Sequence, residues 1–254
     1  MSWRVAIGAL LLCCSPAVAR SPEMALASDV ATPAARPGVQ KLGANAYFYR
    51  PEGASKSPRP LIVLFHGAGM SAHSFLYGAR AEADRLGCLL LSVQSNGATW
   101  DTIGLISKAS KGGSVTRDQL FGADTDRVEQ ALSVALRAAD ADRRLVILAG
   151  FSDGASFALS LGLANPALVR GVVAFAPGFH LEPAAINPRQ RLFIAHSPTD
   201  QILSFERTRD DTVAPLKKAG FEVNFRPFDG GHRVDRALLS EGINFVMGRS
   251  AAAD

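Results

Sequence analysis

Cysteine is scarce in this chain: three among 254 residues, Cys13 and Cys14 side by side and Cys88 alone. With a single cysteine beyond the first segment, no intrachain disulfide can form there, and stability has to come from a packed core. Cys88 opens the apolar run at 88–93 and reads as a small buried hydrophobe, not a thiol nucleophile. Paired ligands are missing too. No two cysteines stand at zinc-binding spacing, and His66 and His73 do not make His-x-x-x-His, so no metal is expected. No Gly-x-Gly-x-x-Gly or phosphate loop follows a strand-like run, so no cofactor is expected. No five consecutive Lys or Arg occur, and the formal charge is only +4, or +3 without residues 1–19, whose one charged side chain is Arg4. That excludes the basic stripe of a nucleic-acid partner.

No apolar run reaches the ~20 residues that span a bilayer. The start instead has the layout of a secretory signal peptide over residues 1–19: a basic Met1-Ser2-Trp3-Arg4, an apolar stretch at 5–14, and Ala17-Val18-Ala19 as a small-x-small cleavage site before Arg20. The expectation is a secreted or periplasmic bacterial protein with no stable membrane insertion after cleavage. Cys13 and Cys14 follow leucines and leave a lipoprotein reading open. Residues 20–44, rich in Ala and Pro without periodicity, read as a poorly ordered lead-in.

Hydrophobic content of 48% against 20% charge then describes a globular remainder. Strand-like runs at 46–50, 61–65, 88–93, 145–149, 171–175, 191–195 and 221–228 alternate with helical patterns at 73–86, 124–139, 155–163, 207–219 and 234–247. This alternation is the mark of an α/β fold with a mostly parallel, doubly wound sheet flanked by helices, in one domain over 45–254. Pro215 should kink or delay the helix at 207–219. Residues 94–117, rich in Gly, Ser, Thr and Lys, form the longest stretch without periodicity and read as a loop able to cover a site in part, with 177–189 as a second rim. Nothing in the sequence decides between monomer and homodimer.

One pentapeptide organises the rest. Gly150-Phe151-Ser152-Asp153-Gly154 follows the apolar run at 145–149 and precedes the apolar helix at 155–163. Strand, Gly-x-Ser-x-Gly and helix together describe a nucleophile elbow, in which a serine stands on a strained turn between closely approaching elements. A serine nucleophile needs a base and a carboxylate to orient it, later in the chain with the acid first. Of the downstream histidines, His180 reads as structural and His196 ends a strand. His232, in Asp229-Gly230-Gly231-His232 before the last helix, is the expected base. Asp200, just past a strand end, is the expected acid; Asp229 is too near His232 to face its ring and reads as a turn former. The N–H of Asp153 at a helix start and that of Ala68, in Phe65-His66-Gly67-Ala68-Gly69, are the expected oxyanion donors, with His66 bonded inside its loop.

Leu64 to Gly69, Trp100-Asp101, Phe121 to Asp124, Gly150 to Ala155, Ala174 to Gly178, His196 to Asp200 and Phe228 to His232, in that order, resemble the α/β-hydrolase superfamily. Within it the chain is similar to small bacterial esterases of the phospholipase/carboxylesterase type, relatives of acyl-protein thioesterases and polyhydroxyalkanoate-depolymerase-like esterases. The resemblance runs from about residue 45 to the end. It implies Ser152 as nucleophile, Asp200 as acid, His232 as base and a serine esterase working through an acyl-serine. It also implies that Trp100 lines the mouth of the site, beside Gly67, Met70 and Phe179 as substrate contacts. Two positions depart from the pattern, Ser197 where glycine is usual and Ser204 where proline is usual. With little chain left for a lid, an open site suits short acyl esters of small molecules. Thioesterase, lysophospholipase or peptidase activity would use the same residues, and a non-catalytic binding protein is the remaining alternative.

Overall fold

A computed structural model gives the fold, describing residues 23–27, 35–43, 45–53, 58–116, 118–183, 186–187 and 189–249. The signal-peptide reading of 1–19, with Cys13 and Cys14, lies outside the described residues. Strands β1 (Gly38–Leu42), β2 (Ala46–Arg50), β3 (Arg59–Phe65), β4 (Leu89–Val93), β5 (Ala141–Phe151), β6 (Val169–Phe175), β7 (Arg191–His196) and β8 (Glu222–Pro227) join in one sheet of order β1-β2-β4-β3-β5-β6-β7-β8. From β4 to β8 every pairing is parallel; β1 and β2 add antiparallel at one edge. The continuous apolar runs of β3, β4 and β6 follow from this, because a parallel strand covered on both faces has no solvent side.

Helices α1 (Ala72–Leu86) and α7 (Arg236–Met247) cover one face; α3 (Ala123–Ala138) and α4 (Asp153–Ala164) cover the other. Each face has its own core, with Leu64, Leu76, Phe175 and Ile243 on the first and Phe65, Trp100, Leu132 and Phe157 on the second. α4 is buried along nearly its whole length, its apolar run broken only by Ser156 and Ser160, whose hydroxyls bond to carbonyls one turn back. None of the described helices is long and apolar enough to cross a membrane.

Two expectations need correction. Residues 38–42, read as part of a lead-in, form β1 against β2, because an edge strand needs only one partner and shows weak alternation. Met24, Ala25 and Ala27 of the same stretch donate N–H groups to Asn165, Glu129 and Ser133. Residues 94–117 are not one loop: they contain α2 (Asp101–Ser110), whose face toward the protein buries chiefly Thr102. A helix that buries so little carries a faint apolar period. Near Pro215, short helices α5 (Phe205–Arg207) and α6 (Ala214–Lys218) flank a π-helical turn at Thr208–Val213 in continuous right-handed helical backbone, and Pro215 is the second residue of α6, so the irregularity falls beside the proline.

The chain leaves β3 toward β4 on one side and returns to β5 on the other. Loops following β3 and β5 therefore diverge and open a crevice at the carboxyl ends of the strands.

Candidate active site

Ser152 sits in that crevice between β5 and α4, with φ 55° and ψ −121°, a strained conformation for a residue with a side chain. The two glycines of the pentapeptide are required by contact. A Cβ on Gly150 would lie 2.2 Å from the Gly154 carbonyl oxygen, and one on Gly154 would lie 2.2 Å from that of Phe65. The turn that lifts Ser152 thus exists only because strand and helix can touch there.

The structure brings Ser152, Asp200 and His232 together. His232 Nε2 lies 2.9 Å from Ser152 Oγ, and His232 Nδ1 lies 2.7 Å from Asp200 Oδ2. With Asp200 ionised, Nδ1–H donates to the carboxylate and Nε2 is left free to accept the serine proton. Burial pushes the Asp200 carboxyl up, but the N–H groups of Leu203 and Ile202 on Oδ1 and the His232 ring on Oδ2 outweigh it and hold the group below the ordinary carboxylate value. A second imidazole, which the sequence reading left unassigned, also reaches this carboxylate. His196 Nε2 lies 3.0 Å from Asp200 Oδ2, while Nδ1 lies 2.8 Å from Thr208 Oγ1. The ring is fully buried, and burial lowers its pKa against the pull of Asp200. The spacing His196-x-x-x-Asp200 was the one available signal.

Both departures from the family pattern have a local job. The buried Ser197 hydroxyl accepts the N–H of Gly231, the neighbour of His232, and that of Thr199, so it ties the loop of Asp200 to the loop of His232. Ser204 caps α5 by accepting the N–H of Arg207.

On the opposite side, the loop at 66–70 faces the start of α4. Neither the N–H of Ala68 nor that of Asp153 has an acceptor among the described residues. His66 is bonded inside its loop only through Nδ1, to the Gly67 carbonyl at 2.8 Å; Nε2 reaches the loop after β4, to the Ser95 N–H at 3.2 Å and to Gln94. Burial lowers its pKa, in keeping with a neutral ring. Gly69 N–H donates to the Ala98 carbonyl, and Thr99 Oγ1 donates to Asp153 Oδ2. Asp124 anchors this brace from the start of α3. Its fully buried carboxylate accepts the N–H groups of Asn96 and Asp101, and Asp101 Oδ2 accepts the N–H of Asp124 in return. Burial raises the Asp124 pKa against those hydrogen bonds.

Trp100 is not at the mouth of the site. It is fully buried, stacked on Phe157 at 4.7 Å, with Nε1 donating to the His66 carbonyl. A large ring with one N–H gains most where it is enclosed and that N–H has an acceptor, so Trp100 supports the 66–70 loop from below. Gly67 is buried against Phe151 and Met70, Met70 is 39% exposed, and Phe179 is half-buried after β6. Phe151, unassigned in the sequence reading, lies tilted against the His232 ring, with centroids 4.7 Å apart. Cys88 is buried and its thiol is pushed up to about 11. Among the described residues no His, Cys, Asp and Glu side chains cluster so as to hold a metal ion.

A mostly parallel sheet, a serine on a strand–turn–helix elbow, and a histidine and an aspartate brought in by later loops define an α/β hydrolase. Solved structures with this architecture include a carboxylesterase from Bacillus cereus (19% identity, TM-score 0.59, covering 80% of this chain and 93% of that one). They also include a dienelactone hydrolase-like promiscuous phosphotriesterase from metagenomic libraries (19%, 0.60, 84% and 97%) and a carboxylesterase from Mesorhizobium loti (20%, 0.56, 76% and 90%). At these identities the likeness is one of fold. No curated protein matches in sequence. The phospholipase/carboxylesterase family profile matches residues 52–247, and the chain belongs to that family of hydrolases.

Proposed function

We propose that the protein is a serine esterase that cleaves carboxylic esters of short acyl groups through an acyl-Ser152 intermediate. The observation that carries this reading is the unbroken hydrogen-bonded line from Ser152 Oγ through His232 to Asp200. Ser152 Oγ attacks the ester carbonyl carbon while His232 Nε2 takes the hydroxyl proton. The N–H groups of Ala68 and Asp153 hold the oxyanion, and Asp200 stabilises the imidazolium. Collapse breaks the bond to the leaving oxygen, which leaves with the proton from His232. Water, deprotonated by the same nitrogen, then attacks the acyl-serine, releases the acid and restores Ser152.

Mixing enzyme with excess p-nitrophenyl acetate tests this. A burst of p-nitrophenol equal to the enzyme present, or an acetyl adduct on Ser152 after acid quench, is the expected result. Steady release without a trapped adduct, unaffected by Ser152→Ala, contradicts it. From the layout of residues 1–19 we infer export and cleavage before Arg20. N-terminal sequencing of protein expressed in a bacterium should read from Arg20; a retained Met1 contradicts export.

A further inference from the structure

At the amino ends of the parallel strands, the pole of the sheet opposite Ser152, lies an open groove of about 780 Å³. The starts of β5, β6 and β7 border it, and register shapes it. Between the pairs Arg59–Ala141 and Leu61–Val146, β3 advances two residues and β5 five, and β6 joins β5 only at Val146. Residues 142–145 therefore have no strand on their β6 side and form one wall of the groove.

Five arginines line this groove: Arg143 and Arg144 of β5, Arg170 of β6, Arg189, and Arg191 of β7. Only two carboxylates line it with them. Asp142 holds Arg144 at 3.1 Å, and Glu222 holds Arg191 at 2.7 Å, so both are spent on orienting an arginine. Arg143, Arg170 and Arg189 have no carboxylate partner among the described residues; Arg170 donates to the Arg189 carbonyl, and Arg143 and Arg189 are exposed. Five arginines against two carboxylates leave three positive charges in one groove, as many as the whole surplus of residues 20–254. Guanidinium groups gathered in this way repel one another, a cost that an anion placed between them removes. None of the described lining residues is lysine. The planar guanidinium fork pairs two N–H groups with two phosphate oxygens, which an ammonium group cannot do. The volume is that of a small-ligand site, roughly 300–1,000 Å³. A concave wall brings arginines to one ligand from several sides, whereas a flat lipid surface would meet only the outermost of them.

We propose that this groove binds a small soluble polyanion carrying two or more phosphate groups, with Arg143, Arg170 and Arg189 as its main contacts. No bond changes there, and the proposal does not depend on the esterase reading.

Calorimetric titration of the full chain with tripolyphosphate tests it. At about 50 mM salt the expected result is one saturable site per chain with Kd at or below about 100 μM, the level that three charge-assisted contacts supply. Arg143→Ser/Arg189→Ser should weaken binding about a hundredfold. Its unliganded Tm should be no lower than that of the wild type, because the substitutions remove like charges and no ion pair. Lys108→Ser/Lys111→Ser takes the same charge from the end of α2, outside the groove, and should leave Kd unchanged. No saturable heat in the wild type up to about 1 mM tripolyphosphate, or equal weakening in the lysine variant, overturns the site. Binding to phosphatidylglycerol vesicles with none to tripolyphosphate overturns the soluble ligand.

Discussion

Each side of Ser152 is built from a buried aspartate, a histidine and backbone N–H groups, yet the two sides differ in what those groups face. Where the loops following β7 and β8 meet, Asp200 takes two backbone N–H groups on one oxygen and two imidazoles on the other. Under the loop following β3, Asp124 takes only backbone N–H groups, and His66 bonds only to its own loop and to 94–95. Asp200 is held below the ordinary carboxylate value and Asp124 is raised above it. A buried carboxylate with an imidazole partner can stabilise a charge that comes and goes. One that ties backbone segments together can only hold a shape.

The variants that break this contrast should separate activity from stability. Asp200→Asn should lower kcat about 10⁴-fold by favouring the wrong tautomer of His232, with a far smaller change in KM; a loss under tenfold would remove Asp200 from the relay. Asp124→Ala orphans the N–H groups of Asn96 and Asp101, at about 1–3 kcal/mol each. Thermal unfolding should fall by several degrees, with a loss of kcat well below that of Asp200→Asn; an unchanged Tm would contradict the brace. Ser197→Gly restores the usual family residue but releases the N–H of Gly231, worth about 1 kcal/mol, so kcat should fall about fivefold while folding is kept. An unchanged kcat would show that the base loop holds itself.

Acid gives the gentlest test of the same contrast. Asp200 is lowered in the folded protein, so its ionised form stabilises the fold above its unfolded value of ~3.9, and that contribution is lost as pH falls through the folded value. Asp124 is raised, so its contribution is full below ~3.9 and is lost as pH rises through its own folded value. Urea titrations across the acid range should therefore show less acid destabilisation in Asp200→Asn than in the wild type, and more in Asp124→Asn. The reverse order would contradict the assignments.

How far the sequence reveals the molecule follows from how local each cause is. Gly150 is legible because the contact that demands it, with Gly154, lies within five residues; Gly154 is legible only as part of the same pentapeptide, since the carbonyls it must clear belong to Phe65 and His66. Asp200 and His232 are legible because chain order past the elbow leaves few candidates. Trp100 was misplaced because the sequence cannot tell a ring that faces a crevice from one packed beneath it against Phe157. β1 and α2 bury too little for a clear period.

Reaction with a fluorophosphonate, followed by intact-mass and peptide analysis, tests the line from Ser152 to Asp200 most directly. One adduct per chain on Ser152, absent in Ser152→Ala and greatly slowed in His232→Ala, is the predicted result. Labelling at another residue, or at an equal rate without His232, would contradict it.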